Sequence, residues 1–238
     1  MRAGQRLTPQ AVGLIASVGV SRVRVYAPRI LVLTSGDELQ APDEAPLPGR
    51  IYDSNGPQLE QLLIQSGFTD VQREHLPDDP AIIRATLSRA LSDPQQRPDV
   101  IISTGGVSVG EEDHLRAVLE QQGQLDFWRL AIKPGRPIAL GQVGGPVGDV
   151  AFLGLPGNPV AAMVTFMVIG RPLVLLLSGA SDADGRRFLV EAGFDYKKKK
   201  GRREWARVTL ETNGKGVPVA IKHPSSGAGI LTSMVEAD

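Results

Sequence analysis

Residues 100 to 110 read VIISTGGVSVG, a short apolar run followed by a loop of glycine, serine, threonine and valine. The apolar run has the length and composition of a buried strand, which we predict over residues 100–103. Residues 112–121 have apolar side chains at helical spacing, so the loop should open a helix. Backbone amides in such a loop can point together at one oxyanion. The stretch therefore predicts a strand–loop–helix unit of an α/β fold with a place for an anion.

The same alternation of apolar strands and amphipathic helices continues on both sides, from residue 29 to residue 177. Strands are predicted over residues 30–34, 70–76, 127–132, 138–140 and 150–153, and helices over residues 58–66, 81–91 and 160–177. This pattern is typical of a mostly parallel sheet with helices on both faces, a three-layer α/β architecture. Loops after the strands of such a sheet converge on one edge, so Asp37, Gly106 and Asn158 should share one face.

The two ends of the chain have a different pattern. Residues 1–28 lack a complete domain pattern, with a weak helix within 7–20 and one strand at 23–26, and are interpreted as the remnant of an upstream domain. After a linker at 178–185, strands are predicted over 187–196, 204–211 and 217–222, which form a small β domain at 178–238. These strands and the apolar segment 229–235 are too few to close a barrel. We therefore expect the β domain to be incomplete and the chain to be truncated at both ends.

The chain of 238 residues has balanced charge, with 26 Lys and Arg residues against 26 Asp and Glu residues, so no global field favours nucleic acid or an anionic membrane. The basic run at 197–203 is interpreted as a solvated hairpin turn. The absence of cysteine excludes disulfides, thiol nucleophiles and thiolate metal ligands. Arg171 and Pro172 interrupt the longest apolar stretch, and no signal peptide is recognisable. The sequence thus predicts a soluble cytoplasmic protein without a membrane span.

Carboxylates follow two of the predicted strands. The loop after the first strand begins Thr34-Ser35-Gly36-Asp37-Glu38, where small residues let a ligand approach the backbone beside two carboxylates. It continues to Asp53 and Asn55, which are candidates for ligand contact or for helix caps. Asp78 and Asp79 precede the predicted helix 81–91, and the pattern by itself favours a cap over a ligand site.

Three further loops offer backbone amides or cations to an anion. The glycine-rich loop at 104–110 matches neither a Walker loop nor a dinucleotide fingerprint. The turn at 133–137 places two cations between prolines, which suits phosphate or carboxylate recognition. The loop at 155–159 brings bare backbone to another helix N-terminus. The candidate residues are Gly105, Gly106, Ser108, Gly110, Asp113, Lys133, Arg136, Pro156, Gly157 and Asn158. Carboxylates beside such amides and cations indicate a bound metal that neutralises a phosphate-rich or oxyanionic ligand.

Six motifs stand in order along the chain: TSGDEL at 34–39, IYDSN at 51–55, DDP at 78–80, GGVSVG at 105–110 with Asp113, KPGRP at 133–137 and LPGNP at 155–159. Together they resemble the molybdopterin molybdenumtransferase family, the MoeA type that includes the E domain of gephyrin. The resemblance runs from about residue 4 to the end of the chain. It implies a molybdopterin-binding α/β domain at 29–177, followed by the start of the family's C-terminal β domain.

The resemblance implies a transferase of molybdenum cofactor biosynthesis, which inserts molybdate into adenylylated molybdopterin and releases AMP. It implies that Glu38, Asp79 and Asp113 are catalytic and that Asp78 joins them in holding Mg²⁺, which would polarise the phosphoanhydride for attack by water. The substrate's own dithiolene supplies sulfur, which agrees with the absence of cysteine. The residues implied to bind the pterin substrate are Thr34, Ser35, Gly36, Asp37, Asp53, Asn55, Gly105, Gly106, Ser108, Gly110, Lys133, Arg136, Pro156, Gly157 and Asn158.

Some positions depart from the family pattern, and these bear on selectivity and partners. Arg129 and Arg136 stand where lysine is common, and Ala228 stands in place of a frequent serine. Full-length members have two more N-terminal domains, which build a homodimer and bring acidic residues to the partner's site. We expect a homodimer for the full-length protein, a molybdopterin adenylyltransferase as a further partner, and slow turnover by this chain alone.

Other functions stay open on the sequence alone. A molybdopterin adenylyltransferase shares the fold, but its glycine loop usually reads Gly-Gly-Thr-Gly, whereas Val107 and Val109 here, with Asn158 before Pro159, favour the molybdenumtransferase. A nicotinamide-nucleotide amidohydrolase of similar fold is a more distant alternative. A module that binds pterin or serves as a scaffold without catalysis is the alternative outside the enzymes.

Overall fold

The computed structural model describes residues 1–106 and 114–238. Its helices are α1 (Pro9–Ser17), α2 (Asn55–Ser66), α3 (Pro80–Ser92), α4 (His114–Gln122), α5 (Pro159–Thr165), α6 (Arg171–Leu177) and α7 (Thr232–Val235), with a π-helical turn at Phe166–Gly170. Its strands are β1 (Ile30–Ser35), β2 (Leu39–Gln40), β3 (Ile51–Tyr52), β4 (Val71–Leu76), β5 (Val100–Thr104), β6 (Gly123–Arg129), β7 (Ile132–Lys133), β8 (Pro137–Val143), β9 (Val150–Leu155), β10 (Glu191–Ala192), β11 (Arg203–Glu204), β12 (Val208–Thr212) and β13 (Pro218–Lys222).

The central sheet contains six strands in the order β4-β1-β5-β9-β8-β6 within the described part of the chain. The strands β4, β1, β5 and β9 are parallel neighbours. Strand β8 runs antiparallel to both β9 and β6, so it is the one strand of these six that runs opposite to the others. The predicted mostly parallel α/β fold is therefore confirmed.

Strand β1 shows why helices cover both faces of this sheet. All of its residues are buried, in keeping with the apolar run that predicted it. Leu31 and Leu33 pack in one apolar cluster with residues of α3 and α4, whereas Ile30 and Val32 pack in a second cluster with residues of α2 and α5. Successive side chains of a strand point to opposite faces. The clusters are thus two cores, one on each face, and the architecture has three layers.

Helix α3 begins directly after Asp79, which caps it. Asp79 Oδ1 accepts hydrogen bonds from the backbone N–H groups of Ala81 at 2.7 Å and Ile82 at 3.4 Å. Pro80 occupies the first helical position, where its missing N–H is not needed. The cap that the sequence pattern favours is confirmed, whereas the catalytic role implied for Asp79 stays a prediction.

We expect Asp79→Ala to lower the free energy of unfolding by about 1 kcal/mol, because two first-turn amides lose their acceptor. Asp79→Ser is the matched control, since a serine oxygen can still accept from these amides. Urea unfolding of both variants measures the effect. An equal loss of stability in Asp79→Ser would show that the cap is not its cause.

The segment Pro159–Leu177 forms one helical run of 19 residues that is long and apolar enough, by length and composition, to cross a membrane. The helix predicted over 160–177 is therefore confirmed, and Arg171 and Pro172 interrupt only its apolar composition, since Pro172 lies in the first turn of α6, where proline is tolerated. Phe166 and Val174 are buried in the core cluster that this run shares with α2 and the sheet. The run therefore packs as a core helix of the α/β part.

Four predicted strands differ from the structure. Residues 23–26 pair with no strand that the structure describes, and their side chains are exposed; an apolar segment forms a strand only where a neighbour accepts its backbone hydrogen bonds. Within 187–196 only Glu191–Ala192 pairs, with β13. The segment 127–132 is divided between β6 and β7, and the segment 204–211 between β11 and β12. In each case pairing partners, which local patterns do not contain, set the boundaries.

The C-terminal segment forms a three-stranded sheet in the order β10-β13-β12 and also contacts the α/β part. Strand β11 pairs in parallel with β7, with Glu204 opposite Lys133. The backbone N–H of Val160 in α5 donates to the carbonyl oxygen of Ala228 at 3.0 Å. The small β segment thus lies against both the turn at 133–137 and the start of α5. The predicted domain limits at residues 28 and 177 stay predictions.

Candidate functional site

Three strands end at one point of the sheet edge, and the loops after them are in contact. These strands are β1, β5 and β9, which end at Ser35, Thr104 and Leu155. A Cβ added to Gly105 would lie 3.0 Å from the carbonyl oxygen of Ser35, and one added to Gly157 would lie 3.7 Å from Gly105 Cα. The predicted convergence of these loops is confirmed for the described residues.

The glycine-rich loop needs glycine at positions 105 and 106. Gly105 and Gly106 have φ angles of 82° and 66°, in the left-handed region that other residues rarely adopt. A Cβ on Gly106 would also lie 2.6 Å from a side-chain carbon of Leu115 in α4. Gly105 and Gly106 therefore present bare backbone at the sheet edge. Ser108, Gly110 and Asp113 lie outside the described residues, and the roles predicted for them stay predictions.

Asn55, at the start of α2, connects two of these loops. Its Nδ2 donates to Thr104 Oγ1 at 2.8 Å and to the carbonyl oxygen of Gly157 at 2.6 Å. Thr104 Oγ1 donates in turn to the carbonyl oxygen of Pro156 at 3.1 Å. Both Asn55 and Thr104 are buried. The side-chain nitrogen of Asn55, a residue predicted to contact the substrate, is thus engaged within the protein.

Asp37 and Asp78 tie the loop after β1 to the loop after β4. The backbone N–H of Asp78 donates to Asp37 Oδ1 at 3.0 Å, and that of Asp37 donates to Asp78 Oδ2 at 3.2 Å. The side chain of Glu38 folds over Gly36, since a Cβ on Gly36 would lie 2.7 Å from Glu38 Cδ. These three exposed carboxylates therefore share the edge of the sheet.

Other predicted residues of the first loop have partners inside the protein. Thr34 is buried, with its Oγ1 at 3.5 Å from His75 Nδ1. Asp53 Oδ1 accepts a hydrogen bond from the backbone N–H of Gly56 at 3.0 Å, at the first turn of α2. The helix-cap alternative for Asp53 therefore accounts for one of its oxygens.

The predicted magnesium site is not assembled by the described residues. Among residues 1–106 and 114–238, no three histidine, aspartate or glutamate side chains are close enough together to hold a metal ion. Asp79 caps α3, and Asp37 and Asp78 accept backbone amides. Mg²⁺ requires oxygen ligands in near-octahedral geometry. The described donor set does not fit this ion, and Asp113, which the resemblance adds to the set, is outside it.

The basic turn at 133–137 packs against the start of α5 and is hydrogen-bonded to the end of the preceding segment. A Cβ on Gly135, whose φ is 83°, would lie 3.1 Å from the carbonyl oxygen of Ala161 in the first turn of α5. The backbone N–H of Leu130 donates to the carbonyl oxygen of Arg136 at 2.7 Å. Because α5 starts directly after the loop at 155–159, the cations Lys133 and Arg136 belong to a turn next to the converging loops.

The C-terminal segment places a partly buried cation, Arg207, opposite this turn. Lys133 and residues of the β segment, including Glu204 and Arg207, line a small cavity of about 30 Å³. The Arg207 guanidinium donates to Ser233 Oγ at 2.6 Å and to the carbonyl oxygens of Gly227 and Ser225 at 3.0 and 3.1 Å. These acceptors are neutral, and burial lowers the pKa of Arg207. The junction therefore carries positive charge that these three acceptors do not neutralise.

Glu204 is the anionic group of the same junction. The Tyr196 hydroxyl and the Arg202 guanidinium donate hydrogen bonds to its carboxylate, the latter at 2.6 Å. These two hydrogen bonds lower the pKa of Glu204 to about 2, and the bond from Tyr196 has the larger effect. The positive charge of Lys133 lowers this pKa further. The bond to Glu204 also raises the pKa of Tyr196. Tyr196, Glu204 and Arg207 belong to no recognisable motif, and the pairing of β11 with β7 is what brings Glu204 to the turn.

We expect Glu204→Gln to reduce the acid dependence of stability. The folded pKa of about 2 lies below the ordinary value of 4.5, so ionised Glu204 stabilises the folded state above that value, and this contribution is lost as the pH falls towards 2. Urea unfolding across this pH range should show a wild-type advantage that shrinks with acid. Glu211→Gln, at an exposed position of β12, is the matched control. A pH-independent difference between wild type and Glu204→Gln would contradict the assignment.

Comparison with known proteins accounts for both parts of the chain. Residues 31–175 match the family described as a probable molybdopterin binding domain, and residues 190–238 match the MoeA C-terminal region, domain IV. The first match covers more than half of the chain, so the protein belongs to the molybdopterin binding domain family. Within that family it is a chain that also carries the MoeA-type C-terminal region.

Individual relatives agree with this assignment. A molybdopterin molybdenumtransferase of Haemophilus influenzae is 37% identical over 215 residues, which are 90% of this chain and 51% of the relative. One of Nostoc sp. is 31% identical over 204 residues, 85% of this chain and 46% of the relative. The crystal structure of a molybdopterin biosynthesis moeA protein from Pyrococcus horikoshii superposes with a TM-score of 0.74 at 27% identity, covering 100% of this chain and 56% of that one. The chain thus spans about half the length of the curated relatives that it matches.

Proposed function

We propose that this chain is the substrate-binding part of a molybdopterin molybdenumtransferase, which inserts molybdate into adenylylated molybdopterin and releases AMP. The observation that carries the proposal is the bare backbone where β1, β5 and β9 end, next to the basic turn at 133–137. Bare amides with adjacent cations suit the phosphates of such a substrate. The names of the relatives from Haemophilus influenzae and Nostoc support the same reaction.

In this proposal each loop has one task. The amides of Gly105 and Gly106 and the cations Lys133 and Arg136 bind the phosphate oxygens. Glu38 accepts a proton from the attacking water, whose oxygen bonds to the adenylyl phosphorus while the phosphorus–oxygen bond to the pterin phosphate breaks and AMP leaves. Molybdate is a substrate that binds the dithiolene sulfurs of the pterin, and the chain has no cysteine to compete for it.

A requirement for Mg²⁺ is a finer part of the proposal, and it depends on Asp113. Asp113→Asn should leave folding intact and lower magnesium-dependent turnover of the whole protein at least tenfold, about 1.4 kcal/mol of transition-state stabilisation. Turnover is measured as AMP release over a range of magnesium concentrations. Unchanged turnover would reduce Asp113 to a carboxylate that complements the dipole at the start of α4.

Calorimetric titration with adenylylated and plain molybdopterin, each with and without Mg²⁺, tests the main proposal. We expect the adenylylated form to bind more tightly, because it alone offers the bridged phosphates to the glycine loop and the basic turn. Equal affinities for the two forms would contradict the proposal. Tight binding of ATP together with plain molybdopterin, followed by adenylylation, would instead identify an adenylyltransferase.

Pterin binding without turnover is the second candidate, because the described carboxylates do not by themselves form a metal site. AMP release by this chain, measured with molybdate present and with the N-terminal region of a full-length relative added in trans, distinguishes the two functions. AMP release that rises when the N-terminal region is added would reject the binding-only alternative, and release that stays absent would support it. We also propose a cytoplasmic location and a homodimer, whose interface the exposed apolar side chains of Leu14, Val18 and Val25 would help to form.

A further inference from the structure

We propose that Asn55 is a positioning residue, whose side-chain amide holds the loops after β5 and β9 at the spacing that the anion site requires. This inference rests on the proposed function, because that function supplies the phosphate-bearing ligand. It changes the role predicted for Asn55 from direct contact with the substrate to alignment of the backbone that contacts it. We call Asn55, Thr104 and the carbonyl groups of Pro156 and Gly157 the loop clasp.

The hydrogen-bond directions in the loop clasp are determined. The Thr104 hydroxyl has one hydrogen, which it donates to Pro156, so its oxygen must accept from Asn55. The second hydrogen of Asn55 Nδ2 goes to the carbonyl oxygen of Gly157. A carboxamide turned the other way would place its oxygen against that carbonyl oxygen. Both donor hydrogens of Asn55 are therefore in use and are not free for a ligand.

Burial makes this arrangement stiff. Asn55 is 9% exposed and Thr104 is 2% exposed, so water cannot easily replace a broken bond. Leaving a buried acceptor unpaired costs about 1–3 kcal/mol. Asn55 also opens α2, whose residues Leu59 and Leu63 are fully buried in the core. The clasp thus transmits the fixed position of α2 to two loops that carry little side-chain packing of their own.

The other end of the Asn55 carboxamide argues against a purely stabilising role. Asn55 Oδ1 is buried and has no hydrogen-bond partner in the part of the chain that the structure describes. A buried oxygen without a partner costs about 1–3 kcal/mol, which offsets what the two donated hydrogen bonds of the same amide contribute to stability. The carboxamide of Asn55 therefore adds little net stability, and its main effect is on the positions of the two loops.

The loops need an external brace because they meet through bare backbone. Gly105 lies against Ser35 on one side and Gly157 on the other, without side chains that would interlock them. Phosphate recognition by backbone amides depends on their relative positions, and shifts of about 1 Å at a site can cost roughly a hundredfold in rate. The loop clasp adds a side-chain link between the loops after β5 and β9, just beyond the last pair of the strand ladder, Thr104 and Leu155.

The test compares variants of this chain with AMP as the probe, at a temperature well below unfolding. Asn55→Asp keeps the shape but replaces two donors by a charged acceptor, and Thr104→Val replaces the hydroxyl by a methyl group. We expect both variants to weaken AMP binding at least tenfold in calorimetry. Both should also speed the hydrogen exchange of the backbone amides of residues 104–106, measured without AMP. Thr104→Ser keeps the hydroxyl and should bind AMP within about twofold of wild type. Gln61→Glu, an exposed amide-to-acid change on the same helix, is the charge control.

The measured affinity, melting temperature and hydrogen exchange together distinguish the loop clasp from the alternative roles of Asn55. If Asn55 contacted the ligand directly, Asn55→Asp would lose affinity with unchanged hydrogen exchange, which would overturn the proposal. If the clasp were only structural, the melting temperature would fall while AMP affinity stayed the same, which would also overturn it. If the wild-type protein failed to bind AMP, the proposed function would be wrong. Hydrogen exchange without ligand would then still test the loop clasp. Faster exchange in Asn55→Asp and Thr104→Val would support the clasp, and unchanged exchange would reject it.

Discussion

Gly105→Ala should lower the affinity for adenylylated molybdopterin about a hundredfold. Alanine at a φ of 82° is strained by about 1–2 kcal/mol, and its Cβ would lie 3.0 Å from the carbonyl oxygen of Ser35. Relief of this crowding moves the glycine loop away from β1 and misaligns two amides. A hydrogen bond to a charged group contributes about 1.5–3 kcal/mol, so weakening two of them accounts for the loss.

Calorimetry gives the affinity of this variant, and urea unfolding gives the accompanying loss of stability. Gly214→Ala is the matched control, because a Cβ at Gly214 meets no atom within 4 Å. The control should bind the substrate as wild type does. If Gly105→Ala bound it equally well, the glycine loop would not be the phosphate site.

Lys133→Gln should weaken binding of the same substrate between about ten- and a hundredfold, because a charged hydrogen bond of about 1.5–3 kcal/mol is lost. The loss should be smaller at high salt, which screens partly exposed charges. Removal of the Lys133 charge also takes away one of the influences that lower the pKa of Glu204. The effect therefore reaches the junction with the β segment as well as the ligand.

Lys199→Gln removes the same charge from the exposed basic run at 197–203 and serves as the control. It should leave the affinity almost unchanged at physiological salt. Equal losses in Lys133→Gln and Lys199→Gln would mean that long-range charge, rather than a specific contact at the basic turn, attracts the substrate.

Local patterns are sufficient to predict the α/β part of the fold. The apolar runs of β1 and β5, Gly67 at the end of α2 with a φ of 101°, and the Asp79 cap of α3 all act within a few residues of the sequence. The topology rule for parallel sheets then places the loops after β1, β5 and β9 together. The edge that carries the candidate site is therefore predictable from the amino-acid sequence.

Interactions between distant segments are not predictable in this way. The side chain of Asn55 donates hydrogen bonds to Thr104 and Gly157, which lie 49 and 102 positions further along the chain. No rule of sequence spacing predicts such a contact. Glu204 reaches the basic turn because β11 pairs with β7. The apolar residues at 23–26 have strand composition but no neighbouring strand in the described residues, so composition alone gives a wrong element.

Because of the π-helical turn at Phe166–Gly170, the long core helix should respond differently to a one-residue deletion and to a one-residue insertion. A π turn closes its hydrogen bond one residue later than an α turn, so it holds one additional residue. Deletion of the exposed Met167 would let an α turn close there and leave α6 facing the core. Insertion of one residue in the regular turns of α5 would instead rotate α6 by about 100°, the angle of one residue at 3.6 residues per turn, and turn Val174 out of the core. The helix therefore tolerates a single-codon deletion at this turn more readily than a single-codon insertion before it.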